Sequence, residues 1–319
     1  MIRSLLYENK VLREEADVKK MAAQFYNPNN VLWVDIQDAS EVEVKALEKE
    51  FKLHPLAIED VKKGRQRPKI EEFEKYAYIV AKELVSKNGS YASQQIDFFL
   101  AQTTLVSVRR GKDEAIDELF ERLKKNPSTL DKGPDFLLYQ ILDATVDKFF
   151  PELDDIDWRI ESVEKQIFKE TSPSALNDLF KVKKNILYLK RTVTPLREVL
   201  NMLSRVDSKL VRAENQVYFR DVYDHLTRIN EVIETQRELT STATEEYLST
   251  VSNSLNTIMK KLTAVTVIIM IPTLIAGVYG MNFKNTPEFD LEHGYYFALG
   301  VMLLTALGSF AYFKRRGWL

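Results

Sequence analysis

The longest stretch without a helix breaker dictates most of what this chain can fold into. No glycine occurs between Gly133 and Gly277, and between Pro195 and Pro272 there is neither glycine nor proline. A charged, leucine-rich stretch of that kind is predicted to be long helix. The pattern predicts one helix from about Asp135 to Lys169, distorted near Pro151, and a return helix from about Pro173 to Leu203. A third begins near Asn215 and meets no stop signal before Gly280. It would hold roughly 65 residues and measure about 100 Å at 1.5 Å rise per residue. Only about 30 Å of that fits the hydrocarbon core of a bilayer. The rest is expected to stand in water as a stalk, and a lone helix there needs partners. Val222, Leu226, Ile229 and Ile233 make one apolar stripe, and Leu248, Val251, Leu255, Ile258 and Leu262 a second. An intrachain bundle accounts for part of this, and self-association of several stalks is expected nearest the membrane.

The end of that helix is apolar in a way water does not tolerate. Leu262 to Tyr279 carries no charge, and neither does Tyr295 to Phe313. Both are near the minimum length for spanning a bilayer. Lys260 and Lys261 precede the first segment, and Lys314, Arg315 and Arg316 follow the second. The loop between them sets Lys284 against Glu288, Asp290 and Glu292. Basic flanks outside and a weakly acidic loop between predict two spans with both termini cytoplasmic and the loop external. That loop would concentrate cations near an entrance.

Residues 1–132 read as a mixed α/β domain. Strands are predicted at Val31 to Ile36, Tyr76 to Val80, Gln95 to Leu100 and Leu105 to Arg109, with helices at Val42 to Leu53 and Asp113 to Lys124. Asn88-Gly89-Ser90 is expected to turn between two antiparallel strands. Cysteine is absent, which excludes disulfides, thiolate metal sites and cysteine nucleophiles. Three scattered histidines, His54, His225 and His293, argue against a histidine-built catalytic centre. A net charge of -2 offers no field for nucleic acid, and no signal-peptide run opens the chain.

The first span is less apolar than an anchor requires. Continuing its stripe gives Asn256, Met259, Leu262, Thr266, Met270, Thr273 and Gly277 at steps of three and four, on one face of the helix. Polar groups at membrane depth face protein or water. Two readings stand at this point: a helix–helix interface, or a pore wall made by several copies around an axis.

Tyr279-Gly280-Met281-Asn282-Phe283 follows that span directly, and the chain closes on Lys314-Arg315-Arg316-Gly317-Trp318-Leu319. A Gly-Met-Asn triplet between two C-terminal spans resembles the CorA family of magnesium channels. His54-Pro55-Leu56-Ala57-Ile58-Glu59-Asp60 with Gln66-Arg67-Pro68-Lys69 is similar to that family's N-terminal domain. Pro195 to Leu200 and Tyr218 to His225 are similar to its helical region. Asn285-Thr286-Pro287-Glu288-Phe289 departs from the Met-Pro-Glu-Leu common in the family's loop. The resemblance implies an α+β membrane protein forming a funnel-shaped homopentamer in the plasma (inner) membrane. Its parts would be an α/β cytosolic domain (1–132), a helical hairpin (133–214), a stalk helix (215–261), a pore helix (262–280), an external loop (281–294), a second span (295–313) and a basic cytosolic tail (314–319).

The resemblance also implies roles. Gly280, Met281 and Asn282 would form the selectivity filter. Magnesium gives up its waters reluctantly, so five neutral Asn282 side chains and Gly280 carbonyls would accept hydrogen bonds from a hydrated ion. Met259, Leu262 and Met270 would be apolar constrictions that close by dewetting, and Gly280 would let the helix end turn into the loop. Cytosolic Mg2+ would bind Asp60 and Asp221 of neighbouring subunits and close the channel, with Glu59 and Asp143 as a second set. Mg2+ is thus expected as substrate and regulatory ligand, with Co2+ and Ni2+ as further substrates and no organic cofactor. A zinc transporter similar to ZntB is the nearest rival, but zinc prefers nitrogen and sulfur ligands and no histidine or cysteine falls on the stripe. A membrane-anchored enzyme or scaffold is the remote one, since no phosphate loop or His-Glu-x-x-His pattern is present.

Overall fold

A computed structural model describes residues 1–15, 17–25, 27–87, 90–169, 173–205, 210–281 and 292–319. It divides into two compact units, one of Met1–Glu164 with Ser174–Ala243 and one of Lys165–Pro173 with Thr244–Leu319.

The first unit is built on a seven-stranded sheet. Its strands are β1 (Ile2–Glu8), β2 (Val11–Glu14), β3 (Asn30–Gln37), β4 (Lys69–Glu72), β5 (Tyr76–Lys87), β6 (Ser90–Ala101) and β7 (Thr104–Arg109), in the order β2-β1-β3-β7-β6-β5-β4. Every neighbouring pair is antiparallel except β3 with β7. The β5–β6 hairpin forms as expected, while residues 88–89 of its turn lie outside the described residues. Alternation along the strands divides the core. Leu32, Val34, Ile36, Tyr78, Val80, Phe99 and Val106 face α1 (Val18–Gln24), α2 (Glu41–Glu50) and α3 (Pro55–Lys63). Leu5, Trp33, Ile79, Phe98, Leu100 and Leu105 face α4 (Glu114–Lys125) and the helices that follow.

Those helices are α5 (Gly133–Asp147), α6 (Phe149–Lys169), α7 (Pro173–Leu203) and α8 (Gln216–Tyr279). The helix expected from Asp135 to Lys169 is therefore two. Pro151, in the first turn of α6, has no N–H to continue the preceding ladder. Lys148 at the break is held by Glu83 of β5 and by Asp113, the N-cap of α4, so tertiary ion pairs fix the site of the break. Leu137, Leu142, Ile156, Leu189, Val193, Phe219, Leu226 and Ile233 join the same core as the sheet.

The second unit holds the C-terminal part of α8 and α9 (Gly294–Arg315). Both helices are long and apolar enough to cross a membrane. Helix α9 ends in a Schellman motif. Gly317 takes φ +70° and donates to Lys314 O, Trp318 donates to Phe313 O at 3.0 Å, and the Trp318 ring stacks on Phe313 at 5.3 Å.

Candidate functional site

At 3.6 residues per turn, the transmembrane part of α8 has two unlike faces. Ala264 is fully buried and Val267, Ile268, Ile271, Ile275 and Tyr279 are half-buried, which marks the side covered within the chain. Asn256, Met259, Leu262, Thr266, Met270, Thr273 and Gly277 lie on the opposite side, and all seven are exposed. The threonine hydroxyls there are already committed. Thr266 donates to Leu262 O and Thr273 to Ile269 O, each at 2.8 Å. With its hydrogen turned back onto the helix, each hydroxyl presents oxygen lone pairs outward. That is the polarity a cation's water shell meets favourably.

Helix α8 closes at Gly280, whose N–H donates to Ala276 O at 2.9 Å. Gly280 does not use a left-handed φ. Met281 is exposed, and Asn282, with the loop to residue 291, lies outside the described residues.

The predicted acidic residues fall into two groups. Glu59 and Asp60 sit on α3, a nine-residue helix capped at both ends. His54 Nδ1 accepts from Leu56 N, Pro55 fills the first turn, Gly64 ends the helix at φ +59°, and Arg110 donates to the carbonyls of Val61 and Lys62. The Gln66-to-Lys69 segment then reaches back. Asp60 accepts from Gln66 Nε2 at 2.6 Å and from Lys69 Nζ at 2.7 Å. Burial works against the Lys69 charge, but Asp60 and Glu71 together hold its pKa above the usual lysine range. Glu59 pairs with Lys63 on the surface. Asp97, on β6 beside this group, is pushed up to about 6, chiefly by burial, although Tyr78 and Gln95 donate to it.

The other group lies on α5 and α8. Asp143 is half-buried and its pKa is raised, first by burial and then by the charges of Asp147 and Asp221. Tyr139 Oη donates to it at 3.5 Å, and the Tyr139 pKa is pushed up to about 12 by burial and by Asp143 and Asp221. Asp221 is exposed. Asp60 lies on α3 and Asp221 on α8. Two residues that sequence reasoning left out, Asp147 and His225, stand beside Asp143. Their signal was available in the spacing: Asp143/Asp147 and Asp221/His225 are each four apart on a helix.

Comparison with known proteins follows the same division. Residues 28–315 match the family described as CorA-like Mg2+ transporter protein. The cobalt/magnesium transport protein CorA of Thermotoga maritima is 35% identical over 299 residues, 92% of this chain and 85% of that protein. The complete structure of the CorA magnesium transporter from Methanocaldococcus jannaschii superposes with a TM-score of 0.87 at 21% identity, over 100% of this chain and 99% of that one. The ZntB cytoplasmic domain from Vibrio parahaemolyticus shares the fold of 79% of this chain, 98% of its own, with a TM-score of 0.63 at 19% identity.

Proposed function

This chain belongs to the family of CorA-like Mg2+ transporters, and from that premise we propose that it forms a channel passing hydrated Mg2+, and also Co2+ and Ni2+, into the cytosol. Members of this family are divalent metal transporters, not enzymes. The observation that carries the finer reading is the exposed face of α8, opposite the side covered within the chain, with its threonine oxygens turned outward. Five copies of that face around an axis would line a pore. Met259, Leu262 and Met270 would close it by dewetting, and Thr266, Thr273 and Asn256 would supply neutral acceptor rings. No acid lies on the face to hold a dication too tightly for exit. A zinc pathway would call for nitrogen or sulfur ligands, and the face has no histidine or cysteine.

Gly280, Met281 and Asn282 would select at the external mouth, with both termini in the cytosol. Inside, Asp60 of one subunit and Asp221 of the next would bind Mg2+ and hold the channel shut, with Glu59 and Asp143 alongside. Acceptor-only carboxylates suit a hard cation. Five such sites add roughly 2 kcal/mol to the closed state when Mg2+ equals Kd and roughly 7 at ten times Kd. A full two-state swing takes about 5.5 kcal/mol, so weak sites suffice when there are five.

The test is Mg2+ uptake into liposomes holding the purified chain, each dication supplied alone and then in competition. Asn282→Ala is expected to assemble as the parent does but to lose discrimination between Mg2+ and competing ions. Uptake and competition identical to the parent would refute the filter.

A further inference from the structure

The sheet of the first unit opens at a place the transport reading does not use. β3 and β7 are parallel neighbours, so their carboxyl ends lie side by side, with Gln37 opposite Arg109. The chain leaves those ends toward opposite faces. After β3 it enters α2, whose Val44 and Leu47 join the core on one face of the sheet. After β7 it enters α4, whose Ile116 and Leu119 join the core on the other. In open α/β sheets such a divergence leaves a crevice beyond the strand ends, and ligands bind there. Here the crevice is a cavity of about 390 Å³, within the range of small-molecule sites. Asp38 braces its rim: its N–H donates to Arg109 O at 2.9 Å, and its carboxylate accepts from Gly111 N at 2.7 Å. The lining residues all belong to one unit of one chain.

The lining has three parts. Val44, Val61 and Val108 are buried and, with Ala39, form an apolar wall. Asp97, only 3% exposed, also borders the cavity. Both hydrogen bonds it accepts, from Tyr78 Oη and Gln95 Nε2, fall on Oδ1, and Oδ2 has no donor among the described residues. A buried carboxylate oxygen without a donor costs free energy that a ligand N–H would recover. The third part is cationic. Lys62 and Arg110 are exposed at the rim, and Lys62 pairs with no acid among the described residues. Arg110 is anchored through Nη2, which donates to the carbonyls of Val61 and Lys62, and its Nε and Nη1 have no acceptor among the described residues. Arg109 is committed to Asp35, Asp117 and Gly111 O. Glu41 at the rim is exposed and free to turn to solvent.

We propose that this cavity binds a nucleoside phosphate, its base against the valines and donating an amino N–H to Asp97 Oδ2, its phosphate at Lys62 and Arg110. The lining selects the class. An apolar wall covers a planar base. Two cations match a dianionic phosphate better than a single carboxylate, and arginine N–H groups fit phosphate oxygens in pairs. A sugar alone would bury hydroxyls against the valines, and an inorganic anion would leave Asp97 Oδ2 unpaired. The chain has no phosphate loop of the NTPase kind, so the site is one of binding and not of hydrolysis. It uses neither Asp60, nor Asp221, nor the open face of α8, so it does not rest on the reading of the pore.

The full chain, purified in detergent and kept in EDTA so that no dication bridges the phosphates, is titrated with ATP by equilibrium dialysis. One ATP per chain is expected. Adenosine and tripolyphosphate each carry half of the ligand and should compete at least about tenfold more weakly than ATP itself. Lys62→Ala removes an exposed charge, and Asp97→Asn turns an amide donor toward the cavity. Each should weaken ATP about tenfold or more. Lys45→Ala, exposed on α2 outside the cavity, should bind as the parent does. Tripolyphosphate competing as well as ATP would reveal an anion patch and overturn the proposal. So would a parent that retains no ATP, equal binding by the parent and both site variants, or a loss in Lys45→Ala as large as that in Lys62→Ala. Failure of the transport reading would show in liposome uptake, which this titration does not measure.

Discussion

The two units solve opposite problems. In the first, charge is matched inside the chain. Asp35, in the middle of β3, is almost wholly buried and accepts from Arg3, Arg109 and Ser107, while Arg109 and Arg3 also reach Asp117 of α4. In the second, large apolar side chains have no cover in the chain: Met270 is 56% exposed, Leu274 68% and Leu304 71%. A surface of that kind is unstable in water and ordinary in lipid or against further copies of itself. The aromatic residues of α9 say the same. Tyr296 and Tyr312 bracket a span of about 24 Å, Tyr295 and Phe297 stand beside the first and Trp318 beyond the second, as in the belts at membrane interfaces. One unit is finished by its own sequence, and the other leaves an apolar surface that water does not tolerate.

The difference is broken most severely at the buried ions. Arg109→Ala leaves Asp35 charged, buried and short of its main donor, and is expected to cost about 3–5 kcal/mol. Urea unfolding of the full chain followed by circular dichroism measures it. A loss under about 1 kcal/mol would mean the first unit does not depend on internal charge matching.

A smaller effect comes from Asp97. Burial raises its pKa from 3.8 to about 6, so the folded state holds its proton more tightly than the unfolded chain. That contribution is fully present below pH 3.8 and is lost as the pH rises through 6. Asp97→Asn removes the dependence. The variant should therefore gain on the parent by roughly 1 kcal/mol between pH 5 and pH 7, read from urea midpoints at the two values. A gap that does not change with pH would place the Asp97 carboxyl in an ordinary environment.

Much of this was legible in the sequence, for identifiable reasons. Strands β3, β5, β6 and β7 are runs of β-branched and aromatic residues because both faces of the sheet are covered. The edge strands were not legible: Lys69-Ile70-Glu71-Glu72 and Val11-Leu12-Arg13-Glu14 carry charges because an exposed edge tolerates and uses them. The capping box of Ser40 and Glu43 starts α2 at Glu41, one residue before the expected Val42. A distortion near Pro151 was legible, but a full break at Lys148 was not, because its partners Glu83 and Asp113 are distant in sequence. The face of α8 could be written down from steps of three and four. Periodicity does not say which helices are neighbours, so His225 could not be set beside Asp143 and Asp147.

The smallest expected effect sharpens the comparison at its boundary with function. Asp60 is matched by Lys69 within the chain, at 2.7 Å, so a metal binding there must compete with an attached cation. Both side chains are partly exposed, and the pair is worth no more than about 1 kcal/mol. Lys69→Gln should shift closure by internal Mg2+ to roughly two- to fivefold lower concentration, measured as uptake against luminal Mg2+. An unchanged midpoint would show that Lys69 does not compete.

The central claim is that the side of α8 left open by the chain is the side the ions see. The parent has no cysteine, so single cysteines report cleanly. Met270→Cys and Thr273→Cys, on the open face, should react with a water-soluble thiol reagent and lose Mg2+ uptake in liposomes. Ile271→Cys and Ile275→Cys, on the covered side, should react less and keep it. Equal labelling and equal block at all four positions would contradict the account.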